Sequence, residues 1–417
     1  MLKTFTFQNF LSFKDEAAFS LESHVSDKGH EESYFETGKI SLLKSAVIYG
    51  PNASGKSSFT KALIFFQNFV TIGLQMALNP FIQVIPFVLS PENEKLPSRF
   101  EIEIVKNGEV YVYGFEVTQQ RILKEWLIQK PYNKILFERE GDRIDCKRSF
   151  KEANEALKSQ TRSNVLFLTI LASYNGQISK DIVEEIRKIH VFSTDQRTLA
   201  LGYSFDRFNV YKEEILEFIL EADFGIKTVN VEEKEISKEE FEGPIPPELR
   251  SAISAGRTKF THRKISTIHR LYNSNADEVG EVEFDLSQES AGTQQMFALS
   301  GLVIESLKDG GTLFIDELNA SLHPLLCRFI IKLFNSKEKN PRNAQLIFTT
   351  HDISLLDSDL WRRDQIWFTE KDKFGASKIF LLADIGERED MNYAKRYLEG
   401  RYGALPYIGY LQSTEQI

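Results

Sequence analysis

The stretch that most constrains the fold is SAVIYGPNASGKSSF, residues 45–59, in which an apolar run is followed by a glycine-bounded loop and a second apolar run. Its core, Gly50 to Ser57, fits G-x-x-x-x-G-K-[ST]. The glycines of that pattern let successive backbone N–H groups turn toward one centre at a helix start. The helix dipole favours an anion at the same point. A strand must therefore deliver the loop and a helix must leave it, which predicts an α/β fold with a parallel sheet. Gly50, Pro51, Asn52, Ala53, Ser54, Gly55, Lys56, Ser57 and Ser58 are the expected phosphate cradle. Lys56 is expected to reach the β- and γ-phosphates of a nucleotide, and Ser57 to offer its hydroxyl to Mg²⁺.

Three further stretches carry chemistry. TLFIDEL, 312–318, is an apolar run that brings two adjacent acids to a strand end. Asp316 is expected to hold Mg²⁺, because hard cations prefer oxygen ligands and keep waters. Glu317 is expected to orient or deprotonate an attacking water. AQLIFTTHDISLL, 344–356, is another strand, ending at His351. One helix separates it from the acid strand, which predicts the two side by side in a parallel sheet and makes His351 a γ-phosphate sensor. SQESAGTQQMFAL, 287–299, sets small and hydroxyl residues before a helix. Ser290, Gly292 and Thr293 thus form a second anion site without a lysine. One nucleotide has no need of two such sites unless the second serves a partner's nucleotide.

The N-terminal MLKTFTFQNFLSFKDEAAFSLES alternates with period two, predicting a strand pair joined near Lys14 to Glu16. RFEIEIVKNGEVYVYGFEV predicts a hairpin turning on Asn107-Gly108, with RILKEWLIQK and KILFERE continuing that sheet. Helical periodicity and charge then take over. The expected division is 1–150, a mainly helical insertion over 151–275 broken by the proline loop EGPIPPELR (242–250), and 276–417.

Composition excludes several classes. At 417 residues and 42% hydrophobic the chain can build a core unaided, and Cys146 and Cys327 form neither a C-x-x-C pair nor a Cys/His cluster. A net charge of −9 and a pI near 5.5 argue against a chain wrapped by nucleic acid. The basic GRTKFTHRK, 256–264, leaves nucleic acid open as a local partner. The first twenty residues hold no continuous apolar run. The uncharged stretch 62–91 is interrupted by five Asn or Gln residues and by Pro80 and Pro86, so a buried helix followed by a loop and a strand is expected there. The chain reads as cytoplasmic, with no membrane partner.

In this order the four motifs resemble those of the ATP-binding cassette ATPases, and within them the SMC and recombination-repair type. The phosphate loop corresponds to Walker A, ESAGTQQ to the signature, FIDE to Walker B, LNASLHP to the D-loop and His351 to the switch histidine. LKTFTFQNFLSFKD resembles the entry strand of those proteins and departs from it at Leu11, where many relatives carry an arginine. More narrowly, ESAGTQQMFAL, IDELNASLHPLL, FTTHDISLLD, RRDQIWFTEKDKFGASKIFLL and YLEGRYGALP resemble the AAA-type ATP-binding proteins of bacterial abortive-infection and related anti-phage systems.

The resemblance implies an α/β ABC-type head, a mixed N-terminal sheet plus a parallel phosphate-loop sheet, that hydrolyses ATP with Mg²⁺. It further implies a homodimer or higher homo-oligomer with ATP sandwiched between heads. Ser290, Gly292 and Thr293 would then act in trans, and Asn319 to His323 would line the seam. Gln83 is the candidate Q-loop ligand of Mg²⁺. Too few residues follow His351 for a nuclease domain, so the effector, a nuclease or other toxin, is expected on a separate chain. Three readings stay open: a defence sensor, a DNA-repair or maintenance ATPase that binds DNA, and a nucleotide-dependent scaffold with little turnover.

Overall fold

The two alternating runs at the N-terminus form β1 (Leu2–Gln8) and β2 (Ala17–Ser20), paired antiparallel across a turn in which Phe10 and Phe13 bridge. The computed structural model describes residues 1–24, 30–75, 81–193, 196–222, 225–236, 260–389 and 391–405. A hairpin of β3 (Tyr34–Thr37) and β4 (Ile40–Leu43) leads to β5 (Ser45–Tyr49), and helix α1 (Lys56–Thr71) follows the loop. Next come β6 (Ser98–Lys106) and β7 (Glu109–Val117), turning on Asn107 and Gly108 at φ 53° and 77°. A type I′ two-residue turn has both at positive φ, which matches the strand twist. With β8 (Ile122–Gln129), β9 (Lys134–Glu140) and β10 (Arg143–Cys146) they make a seven-stranded antiparallel sheet, β10-β9-β8-β7-β6-β1-β2.

The second large sheet adds β11 (Ile189–Phe192) to strands from the far end of the chain. Between them in sequence lie β12 (Ile226–Ile236), β13 (Phe260–Tyr272) and β14 (Glu278–Asp285), which form a separate three-stranded sheet. The far-end strands are β15 (Thr312–Ile315), β16 (Gln345–Thr350), β17 (Ile366–Lys371) and β18 (Ser377–Leu381). The order is β11-β15-β16-β5-β17-β18, parallel throughout except for β18 at one edge. Every residue of β5, β15 and β16 is buried. Strands covered on both faces read as near-continuous apolar runs, as AVIY, LFI and LIF do within these three.

Helix α1 is packed against both large sheets. The Phe59 ring meets Phe5, Phe7 and Phe19 of the antiparallel sheet at 5.9, 5.6 and 5.5 Å and stacks on Phe314 of β15 at 5.8 Å. One turn pair further on, Phe66 stacks on Phe115 at 5.5 Å. Each buried ring contributes roughly 1.5–3 kcal/mol, with aromatic geometry adding about 0.5–1.5.

The chain divides into two units, Met1–Asp195 with Glu305–Ile417, and Gln196–Ile304. Several expectations change here. Helix α1 stops at Thr71, inside the uncharged stretch 62–91, and residues 81–87 are irregular rather than a strand. Part of the uncharged stretch, 76–80, lies outside the described residues, as does the proline loop 242–250. Among the described residues no helix is long and apolar enough to cross a membrane. The span 151–275 is not only helical: it supplies β11 to the parallel sheet and β12 and β13 to the second unit's sheet. For β12 and β13 the physical reason is charge. Lys264 of β13 pairs across the sheet with Glu283 of β14, and Arg263 with Glu233 of β12, so both faces are polar and the two-residue alternation is hidden.

Phe59→Ala is expected to lower stability by about 3–5 kcal/mol, read as a fall in the urea midpoint. Tyr132→Ala, at a side chain 93% exposed, is expected to stay within about 0.5 kcal/mol of wild type.

Candidate functional site

Strands that run parallel end at one edge, and here β5, β15 and β16 end respectively at the phosphate loop, the acid pair and His351. The loop's shape is fixed by close approach. A Cβ on Gly50 would lie 2.3 Å from Thr369 Oγ1, and one on Gly55, at φ 122°, would lie 2.6 Å from Ser377 Oγ. Buried Ser54 shares a 2.7 Å hydrogen bond with Thr369 Oγ1, tying the loop to β17. The Ser54 hydroxyl thus serves the loop's anchorage. Asn52, Ala53 and Ser57 are exposed, and Pro51 and Ser58 half-buried. Gly55 gives α1 no side-chain cap and the first turn holds no acid, so its leading N–H groups suit an anion.

Buried Lys56 donates to the carbonyls of Gly50 at 2.8 Å and Pro51 at 3.3 Å, and its Nζ lies 3.4 Å from Glu317 Oε1. Asp316 is 5% exposed, and its Oδ1 accepts the Thr349 hydroxyl at 2.7 Å. The same Thr349 oxygen accepts the Glu317 backbone N–H at 2.8 Å. Glu317 has φ 58°, a left-handed conformation unusual for a long side chain. Its Oε2 accepts from His351 Nδ1 at 2.7 Å. His351 Nε2 lies 3.2 Å from Asn319 Nδ2, and Asn319 Oδ1 accepts the Thr350 hydroxyl at 2.7 Å.

Lys56, Glu317 and His351 are therefore in one continuous contact chain. The expected seam residues begin on the same chain: Asn319 bonds the histidine, Ser321 is exposed at φ 63°, and His323 Nδ1 accepts from Leu325 N at 3.2 Å to cap the next helix, Pro324–Asn335. Asp316 and Ser57 offer one carboxylate and one hydroxyl, a set that fits Mg²⁺, which takes one or two protein oxygens beside phosphates and waters. Among the described residues no group of three or more His, Cys, Asp or Glu side chains could hold a metal alone. Gln83 is exposed on the wall of a 320 Å³ cavity lined by Leu11, Lys61, Phe65 and Asn68, a lining that includes neither Ser57 nor Asp316.

The second unit holds the other anion motif. Ser290 Oγ accepts from Thr293 N at 3.1 Å and shares a 2.9 Å bond with Thr293 Oγ1, capping helix Ala291–Asp309, whose first turn holds half-buried Gly292. Glu289, just ahead, accepts from Thr267 and from His269 Nε2, the latter at 2.6 Å. Of the basic cluster 256–264, residues 256–259 lie outside the described residues. Arg263 is paired with Asp206 and Glu233, and Lys264 with Glu283.

Sequence reasoning missed Thr349, Thr369 and the Glu289–His269 pair. The doublet Thr349-Thr350 closing an otherwise apolar buried strand is the signal that could have found the first.

A family profile described as "AAA domain, putative AbiEii toxin, Type IV TA system" matches residues 45–357. The chain belongs to this family, whose matched span runs from the strand before the phosphate loop to just past His351. Among solved structures it is similar to an Smc head bound to the C-winged helix domain of ScpA, at 15% identity and TM-score 0.45 over 91% of this chain and 97% of that one. It is also similar to an Smc head with an extended coiled coil bound to the C-terminal domain of ScpA from Pyrococcus furiosus, at 12% identity and TM-score 0.42 over 91% and 96%. No curated protein matches the chain.

Thr349→Val keeps the shape but leaves the Glu317 N–H without its acceptor and Asp316 without its donor. A loss of about 1–3 kcal/mol is expected, measured by chemical denaturation, with Thr349→Ser restoring most of it.

Proposed function

We propose that the protein binds and hydrolyses ATP and uses the cycle to control a separate effector in an abortive-infection response, its ATP-bound heads closing as a dimer. The observation that carries this reading is the contact chain Lys56–Glu317–His351, assembled from three neighbouring strand ends at the start of an uncapped helix. Backbone N–H groups of the loop and Lys56 bind the phosphates. Ser57 and Asp316 hold Mg²⁺, which when bound neutralises charge on the phosphate oxygens. Glu317 orients the attacking water and takes its proton, and His351 faces the γ-phosphate. Ser290, Gly292 and Thr293 present the second anion site to the nucleotide of another copy, and Asn319–His323 line the dimer seam.

The family description supports the defence setting, since it names a toxin and a toxin–antitoxin system. The DNA-maintenance reading has less support, because Arg263 and Lys264 of the basic cluster already have acidic partners. Gln83 is the proposed Q-loop ligand of Mg²⁺, although the cavity it lines includes neither Ser57 nor Asp316.

Glu317→Gln is expected to slow phosphate release about 100-fold or more while ATP-bound dimers accumulate on size-exclusion chromatography. Lys56→Ala is expected to lose ATP binding by calorimetry and protection in a phage plating assay. Unchanged phosphate release in Lys56→Ala would sink the ATPase reading, and stimulation by DNA that collapses steeply with salt would move the function to DNA maintenance.

A further inference from the structure

Which nitrogen of a histidine carries the proton is set by the partners of both, and both ring nitrogens of His351 are engaged. Glu317 Oε2 can only accept, and at 2.7 Å it calls for a proton on Nδ1. Asn319 Nδ2 can only donate, and at 3.2 Å it calls for a lone pair on Nε2. The amide could meet the opposite demand by turning over, but its orientation is set from behind. Asp352 N donates to Thr350 Oγ1 at 3.0 Å, and the proton of that hydroxyl goes to Asn319 Oδ1 at 2.7 Å; a turned amide would offer the hydroxyl a second donor and leave its proton without this acceptor. Thr350 is fully buried, which leaves its hydroxyl no water as an alternative.

We propose that Asn319 is a positioning residue that holds His351 as the neutral Nδ1–H tautomer, with Nε2 an acceptor. A phosphate oxygen is also an acceptor, so the nitrogen held by Asn319 repels it. For Nε2 to bind phosphate, the Asn319 amide must leave and one proton must arrive from solvent. Both nitrogens then carry hydrogen, and Glu317 keeps its bond to Nδ1. No bond other than N–H forms, and no electron is transferred. Half-buried Asn319 leads into a turn whose Ser321 and His323 are exposed, so a second copy pressing on that turn would pull the amide away and arm the histidine. This last step rests on the function proposed above; the tautomer does not.

The test is a long-range ring correlation spectrum of the full chain labelled with ¹⁵N-histidine, at pH 7.5 without nucleotide, the His351 signals being those missing in His351→Gln. Wild type is expected to show a protonated Nδ1 and an unprotonated Nε2. Asn319→Asp replaces the donor by an acceptor, and the unprotonated resonance should be lost. Thr350→Val frees the amide to turn, and part of the ring should carry its proton on Nε2. A wild-type ring with hydrogen on Nε2, or two variants with wild-type spectra, overturns the proposal. Lys56→Ala separates the two ideas: if it still hydrolyses ATP the ATPase reading falls, while the ring spectrum judges the tautomer regardless.

Discussion

The direction in which α1 points governs everything at the sheet edge, and that direction is set by aromatic burial rather than by the helix's own ends. Its first turn holds no acid, its last turn no base, and Gly55 supplies no side-chain cap. Local terms that usually contribute about 0.3–2 kcal/mol each are thus left out. What remains is the packing of Phe59 between rings of both large sheets and of Phe66 against Phe115 of the antiparallel sheet. The omission has a use. A capped N-terminus would satisfy the N–H groups that an anion needs, so stability is moved one turn down the helix, to Phe59, and the first turn is kept for binding.

The acid pair shows a second division of labour. A left-handed residue other than glycine costs on the order of 1–3 kcal/mol, yet Glu317 takes φ 58°. Three hydrogen bonds oppose that cost: Glu317 N to the Thr349 hydroxyl, Leu318 N to the Thr349 carbonyl and Ala320 N to the Glu317 carbonyl. The turn they stabilise reverses the chain straight after β15, so that adjacent acids take different surroundings. Asp316 stays buried against Thr349, whereas Glu317 reaches Lys56 and His351. Two neighbouring carboxylates in an ordinary extended strand would point to opposite faces of the sheet.

The parts legible in the sequence were those whose physics is local. The phosphate loop, the Asn107-Gly108 hairpin and the buried strands 312–315 and 345–350 follow from glycine placement and from apolar runs, and the parallel neighbourhood of the last two follows from the single helix between them. Strand β11 was not legible, because IHVF is only four residues long and follows a charged helix. Strands β12 and β13 were hidden by cross-strand ion pairs such as Lys264–Glu283 and Arg263–Glu233, which set charges on both faces of β13. At the site, Lys56, Asp316, Glu317 and His351 were named from motif order, but the tie through Thr349 and the link from Asn319 to His351 needed the register of β15 against β16.

The contact chain at the edge also bears on how easily its members could change partners. Lys56 is held by two carbonyls and a carboxylate, Glu317 by an ammonium and an imidazole, His351 by a carboxylate and an amide. No charge in this chain is buried without a partner, which would cost several kcal/mol. An incoming phosphate therefore does not have to find strained or orphaned groups; it has to replace existing acceptors around Lys56 with its own oxygens. Exchange of one hydrogen-bond set for another leaves only a small net term, typically about 0.5–1.5 kcal/mol per bond and more where a charge is involved. The consequence is directional. Every oxygen that displaces Glu317 from Lys56 loosens the carboxylate toward His351, so binding at the loop and rearrangement at the strand ends are coupled through one side chain.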